Sequence, residues 1–175
     1  MLRGINVARH NIIKMAELKA LYESLRFSDV TTYIQSGNVI FKSKEKDPSA
    51  VSAAIVRGIE KKFGYSVTVI IRQPVELAAV IKNNPFIGRR GVDESRLYVT
   101  FLEAKPAPVL VKALAPVTAK SNDEFRLIGT EIYLHCPNGY GKTVLSNTLF
   151  EKNLKVAATT RNWRTVNTLH LMASE

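Results

Sequence analysis

Cysteine is almost missing from this chain, and the shortage removes two kinds of architecture. Cys136 is the only one in 175 residues. No intramolecular disulfide can form, and a cysteine-rich zinc site is ruled out. A reducing cytoplasm is the simplest compartment for such a composition. Long apolar runs are absent too: nothing approaches the stretch of about 18 residues that a membrane helix needs. Met1–Lys14 carries Arg3, Arg9 and Lys14 with no apolar stretch behind them, so no secretory signal is visible. His10, His135 and His170 have no ligand spacing, and neither a metal site nor a cofactor is expected.

Acidic residues are also few. The chain has 15 Asp+Glu against 25 Lys+Arg, a net charge of +10. Such a balance points to anionic partners: a small anionic or phosphorylated ligand, or nucleic acid. No membrane partner is expected. The excess is spread along the chain, with 12 basic and 6 acidic side chains in residues 1–74, and no run resembles a basic tail.

What remains is ordinary for a globular protein: 46% hydrophobic and 23% charged residues, enough for one domain or two small halves. Met1–Val7 reads as a strand end and loop. Met15, Leu18, Leu21, Tyr22 and Leu25 fall at helical spacing. Thr31–Ser43 reads as a hairpin turning at Ser36-Gly37-Asn38. Asp47-Pro48 opens a second helix that Gly64 closes. Ser66–Ile71 reads as a strand and Gln73–Asn84 as a connecting helix. The order is that of a ferredoxin-like half. After the polar stretch Gly88–Ser95 the pattern recurs: strand Arg96–Leu102, helix Pro106–Ala115, hairpin Phe125–His135, helix Thr143–Leu154, short strand Val156–Thr159 and final helix Arg161–Ala173.

The expected fold is therefore α+β, with two ferredoxin-like halves. Residues 1–87 form the first with its connecting helix, and residues 96–175 the second with its C-terminal helix. Up-and-down topology places the loop after Arg3 beside the hairpin turn at Gln35. It also places Cys136–Lys142 beside the start of the last helix.

Three segments carry candidate chemistry. Arg3, Asn6, Gln35, Ser36 and Asn38 gather donors and acceptors at one edge. They could line a polar ligand pocket, or could simply bond neighbouring backbone around tight turns at Gly4 and Gly37. Thr160, Arg161 and Asn162 open the last helix in this reading, with Thr160 as N-cap, free N–H groups to attract an anion and Arg161 adding charge. The competing reading is plain capping, with Trp163 anchored in the core.

The third segment, His135–Thr143, has the His-Cys start, five intervening residues and glycines of a cysteine-phosphatase phosphate loop. That chemistry needs a lowered thiol pKa at Cys136 and a planar guanidinium to grip phosphate. Lys142 stands at the guanidinium position as a point charge. Gly139, Gly141 and Lys142 could instead cradle an anion without catalysis. The segment is not a nucleotide-binding P-loop, which needs glycine where Cys136 stands. Base stacking on sheet aromatics has little support, since Val39-Ile40-Phe41 offers one ring and Met1–Val7 none.

RGINV at Arg3–Val7, TYIQSGNV at Thr32–Val39, CPNGYGKT at Cys136–Thr143 and ATTRNWRTV at Ala158–Val166 together resemble the "domain of unknown function 1697" family. The likeness spans nearly the whole chain. It implies a compact cytoplasmic bacterial α+β protein of two ferredoxin-like halves and no assigned reaction. Its motif positions fall on Arg3, Gly4, Asn6, Gln35, Ser36, Gly37, Asn38, Gly139, Gly141, Thr160, Arg161, Asn162 and Trp163. There are two departures. Family chains usually carry several apolar residues before the leucine-arginine-glycine run, so a start placed too far downstream is expected. Lys142 stands where arginine is common in similar chains.

The function expected is binding of a small anionic ligand through Arg3, Asn6, Gln35, Ser36, Asn38, Gly139, Gly141, Lys142, Thr160, Arg161 and Asn162. The alternatives are a phosphohydrolase using Cys136 and a nucleic-acid-associated basic module.

Overall fold

Asp47 and Gly64 bracket the longest helix. The Asp47 carboxylate accepts from the Ser49 N–H at 2.9 Å, and Gly64 closes the helix at φ 74°. The computed structural model describes residues 1–7, 10–112, 114 and 122–175. Arg9, and Ala113 and Ala115 at the end of an expected helix, lie outside the described residues. Two compact units result: residues 1–74 with 171–175, and residues 75–170. The polar stretch 88–95, expected as a boundary, lies within the second unit, and the division falls between Pro74 and Val75.

The first unit contains α1 (Met15–Ser24), β1 (Ser28–Tyr33), β2 (Asn38–Lys42) and α2 (Pro48–Phe63). β1 and β2 form a two-stranded antiparallel sheet. The turn spans residues 34–37, so Asn38 belongs to β2 rather than to the turn. The expected outer strands are reduced to a single bridge between Leu2 and Val69. Leu2 N–H donates to the Gly37 carbonyl and Arg3 N–H to the Thr68 carbonyl, both at 2.9 Å. Gly4 at φ 69° and Asn6 at φ 54° then turn the chain out of extended geometry, which ends the pairing. Leu2, Ile5, Ile13, Leu18, Ile55 and Val69 share one buried core.

The second unit opens with α3 (Pro74–Lys82), of which only Pro74 lies before the division. It holds β3 (Leu97–Leu102), α4 (Pro108–Lys112), β4 (Glu124–Ile128), β5 (Glu131–His135), α5 (Asn147–Leu154), β6 (Ala158–Asn162) and most of α6 (Trp163–Ala173). Its sheet has the order β4-β5-β3-β6, with every neighbouring pair antiparallel. Strand alternation gives the sheet two faces. Leu102, Ile132, Leu134, Cys136 and Ala158 share a core with Leu145, Phe150 and Leu154. On the other face the Tyr133 hydroxyl donates to the Val80 carbonyl of α3 at 3.2 Å. β3 is buried on both sides, as its central place requires.

The described residues thus form a mixed α+β chain with two antiparallel sheets and six α-helices. No helix among them is long and apolar enough to cross a membrane.

Candidate functional site

In the first unit the RGIN and QSGN segments do lie side by side, and Asn6 is the pin. Its amide nitrogen donates to the carbonyls of Ile13 and Gln35, each at 2.9 Å, and its oxygen accepts from the Ile13 N–H at 2.9 Å. Asn38 is fully buried. Its amide reaches the Tyr33 carbonyl at 3.2 Å and the Ser36 hydroxyl at 2.9 Å. Both side chains therefore serve the backbone and turn. Gln35 is exposed and Arg3 half-buried. Gly37 is buried at φ 74°, and a Cβ there would lie 2.8 Å from Leu2 Cβ.

The second unit carries a denser polar group. The Tyr140 hydroxyl donates to Thr160 Oγ1 at 3.0 Å, and Thr160 donates to Asn147 Oδ1 at 2.7 Å. The Thr100 hydroxyl lies 2.7 Å from that of Thr160, its register partner across β3 and β6. The Tyr98 and Tyr140 rings pack at 5.2 Å between centroids. Gly139 takes φ 85°, and a Cβ on it would lie 3.1 Å from a guanidinium nitrogen of Arg96. Arg96 reaches this loop because β3 pairs with β5, and its carbonyl accepts from the Cys136 N–H at 2.9 Å. Its side chain is 46% exposed and 3.9 Å from the Asp93 carboxylate. Lys142 and Gly141 are exposed in the same loop.

The sequence reading of Thr160 as the helix cap is overturned. Thr160, Arg161 and Asn162 lie in β6, where Thr160 pairs with Thr100 and Arg161 with Val99. The cap is Asn162, whose side-chain oxygen accepts from the Thr165 N–H at 2.8 Å. A strand also sends successive side chains to opposite faces. Thr160 meets Tyr140 and Asn147, whereas Arg161 is buried beside Thr159, donating to its hydroxyl and to the Thr160 carbonyl at 2.8 Å each. Burial lowers the Arg161 guanidinium to about 10. Arg161 and Lys142 thus do not form one charged pair at a helix end.

Cys136 is fully buried in the apolar core of its sheet face. Burial pushes its thiol up to about 11. A thiolate nucleophile needs the opposite environment: exposure and a depressed pKa. The Thr143 hydroxyl, near the thiol, donates to Asp123 at 2.6 Å.

Sequence reasoning missed Arg96, Tyr98, Thr100 and Asn147. They converge only through the register of β3 with β5 and β6, for which the chain carries no local signal. It also missed a charged row at the end of β4 and β5 from which the Cys136 loop leaves. Arg89 holds Glu124 at 2.8 Å, and His135 Nδ1 lies 3.6 Å from the other Glu124 oxygen. The Arg89 hydrogen bond, ahead of other causes, keeps the Glu124 carboxyl below its usual range. Among the described residues no group of three His, Cys, Asp or Glu side chains could hold a metal ion.

A solved structure, that of the conserved bacterial protein SP0830 from Streptococcus pneumoniae, is similar in fold, with a TM-score of 0.70 at 20% identity. The match covers 100% of this chain and 96% of that one. No curated protein matches the chain. A family model described as "Protein of unknown function (DUF1697)" matches residues 1–133, and the chain belongs to that family.

Proposed function

We propose that this protein binds a small anionic ligand at the loop Gly139–Lys142, and that each unit is a ferredoxin-like half. The β4-β5-β3-β6 order of the second sheet supports the fold reading. The observation that carries the functional reading is the position of Arg96 against Gly139. The glycine leaves room for a guanidinium where a side chain would crowd it at 3.1 Å. That guanidinium, and the ammonium of Lys142 exposed three residues on in the same loop, supply the cations for an anionic oxygen. The hydrogen-bonded cluster of the Tyr140, Thr160 and Thr100 hydroxyls with the Asn147 amide oxygen stiffens the wall behind it. The role is binding rather than catalysis, because the nearby thiol is buried and protonated.

The test is a thermal-shift and calorimetric titration with inorganic phosphate, pyrophosphate and a nucleoside monophosphate. A ligand at a hundredfold its Kd stabilises the native state by about 2.7 kcal/mol. Arg96→Gln and Lys142→Gln should each abolish most of that gain. Failure of all three anions to stabilise the wild-type chain sinks the reading.

A further inference from the structure

Asn6 fastens three pieces of backbone together, and each piece carries an exposed aliphatic side chain next to the fastening. The bonded residues are Asn6 itself, Ile13 and Gln35. Their neighbours Val7, Ile12 and Ile34 are 59%, 57% and 51% exposed. Three aliphatic side chains are thereby gathered at one loop cluster of the first unit. Ile34 adopts φ 49°, a conformation that β-branched residues avoid. Its side chain is 51% exposed, so strain is held at a half-exposed apolar tip.

The chain segments that carry this cluster hold cations and no carboxylate. No Asp or Glu occurs in residues 1–16 or 30–44. Lys14 is 81% exposed, with Glu17 the nearest carboxylate at 3.8 Å, and His10 is exposed. We infer that this cluster is a contact for an anionic bilayer surface, into which Val7, Ile12 and Ile34 insert while Lys14 faces the headgroups. Surface association needs only projecting apolar side chains and nearby cations, so the absence of a spanning helix does not bear on it. A second copy of the chain would bring like-charged fringes together. A bound peptide would want a strand edge or a helix groove, whereas these side chains stand on a turn and on loop backbone.

The inference is independent of the anion site on the second unit. Its test is co-sedimentation of the full chain with vesicles of phosphatidylcholine alone and of an equal mixture with phosphatidylglycerol. Binding is expected to the mixed vesicles and not to the neutral ones. Ile34→Asn is the decisive variant, because asparagine tolerates the left-handed backbone and the fold is retained. It should melt no lower than wild type yet lose about tenfold in vesicle affinity once combined with Ile12→Ser. No binding by the wild type, equal binding to neutral vesicles, or mixed-vesicle binding unchanged in the double variant would each overturn it.

Discussion

The Tyr140 hydroxyl donates to the Thr160 hydroxyl at 3.0 Å, joining the glycine-containing loop to the edge strand β6. Thr160 also meets Thr100 and Asn147, so one hydroxyl ties together a loop, two strands and a helix start. Tyr140→Phe should cost about 1 kcal/mol in urea unfolding, the usual net worth of a neutral hydrogen bond. Thr160→Val should cost more, because it strands several partners at once. Equal stability of wild type and Thr160→Val would show that the network adds nothing.

Asn6→Ala should be among the most damaging single changes in the first unit. It removes the bonds to Ile13 and Gln35 and places alanine at φ 54°. A loss of about 2–4 kcal/mol is expected, from unpaired backbone groups together with left-handed strain. Chemical denaturation with a two-state fit is the measurement.

Gly37→Ala tests close approach separately. A methyl group there would sit 2.8 Å from Leu2 Cβ and 2.9 Å from Ile5 Cδ1, on a backbone at φ 74°. Strain and overpacking each cost about 1–3 kcal/mol, so the variant should lose at least about 2 kcal/mol. Gly4→Ala has open space around it and should lose only the backbone share.

Cys136 should be inert to a water-soluble disulfide reagent in the native protein and react promptly in denaturant. Burial removes access, and a thiol pushed up to about 11 is protonated at neutral pH. Rapid native-state labelling near pH 7 would contradict this placement and reopen the nucleophile reading.

Stability should fall in mild acid partly through Glu124. Its folded pKa is depressed, chiefly by the Arg89 hydrogen bond. The unfolded chain therefore takes up the proton first as pH drops. The contribution is full above the unfolded carboxyl value, about 4.3, and disappears as pH falls through the lower folded value. For this part-exposed pair it amounts to about 1 kcal/mol or less. Glu124→Gln should flatten that part of the pH–stability curve, and an unaltered curve would remove Glu124 from the account.

Local signals in the chain were sufficient where local physics decides. Asp47-Pro48 and Gly64 mark α2 because a cap, a fixed φ and a left-handed stop act within a few residues. α1 follows its apolar spacing, and the β4–β5 hairpin follows Phe125, Leu127, Ile132 and Leu134 at alternate positions on either side of Gly129. The proximity of Asn6 and Gln35 also followed from short connections. Their purpose did not, because an asparagine that pins backbone and one that meets a ligand read alike in sequence.

Long-range pairing decided the rest. Residues 158–162 are polar enough to pass for a helix start, yet ladder bonds to β3 hold them as a strand and move the cap to Asn162. That shift of register sends Thr160 and Arg161 to opposite faces. The same β3 pairing brings Arg96 to Gly139 from more than forty positions away. Composition and periodicity could name the helices, the hairpins and the basic character, since each is written into neighbouring residues. Which side chains share a site depended on strand register, which only the assembled sheet supplies.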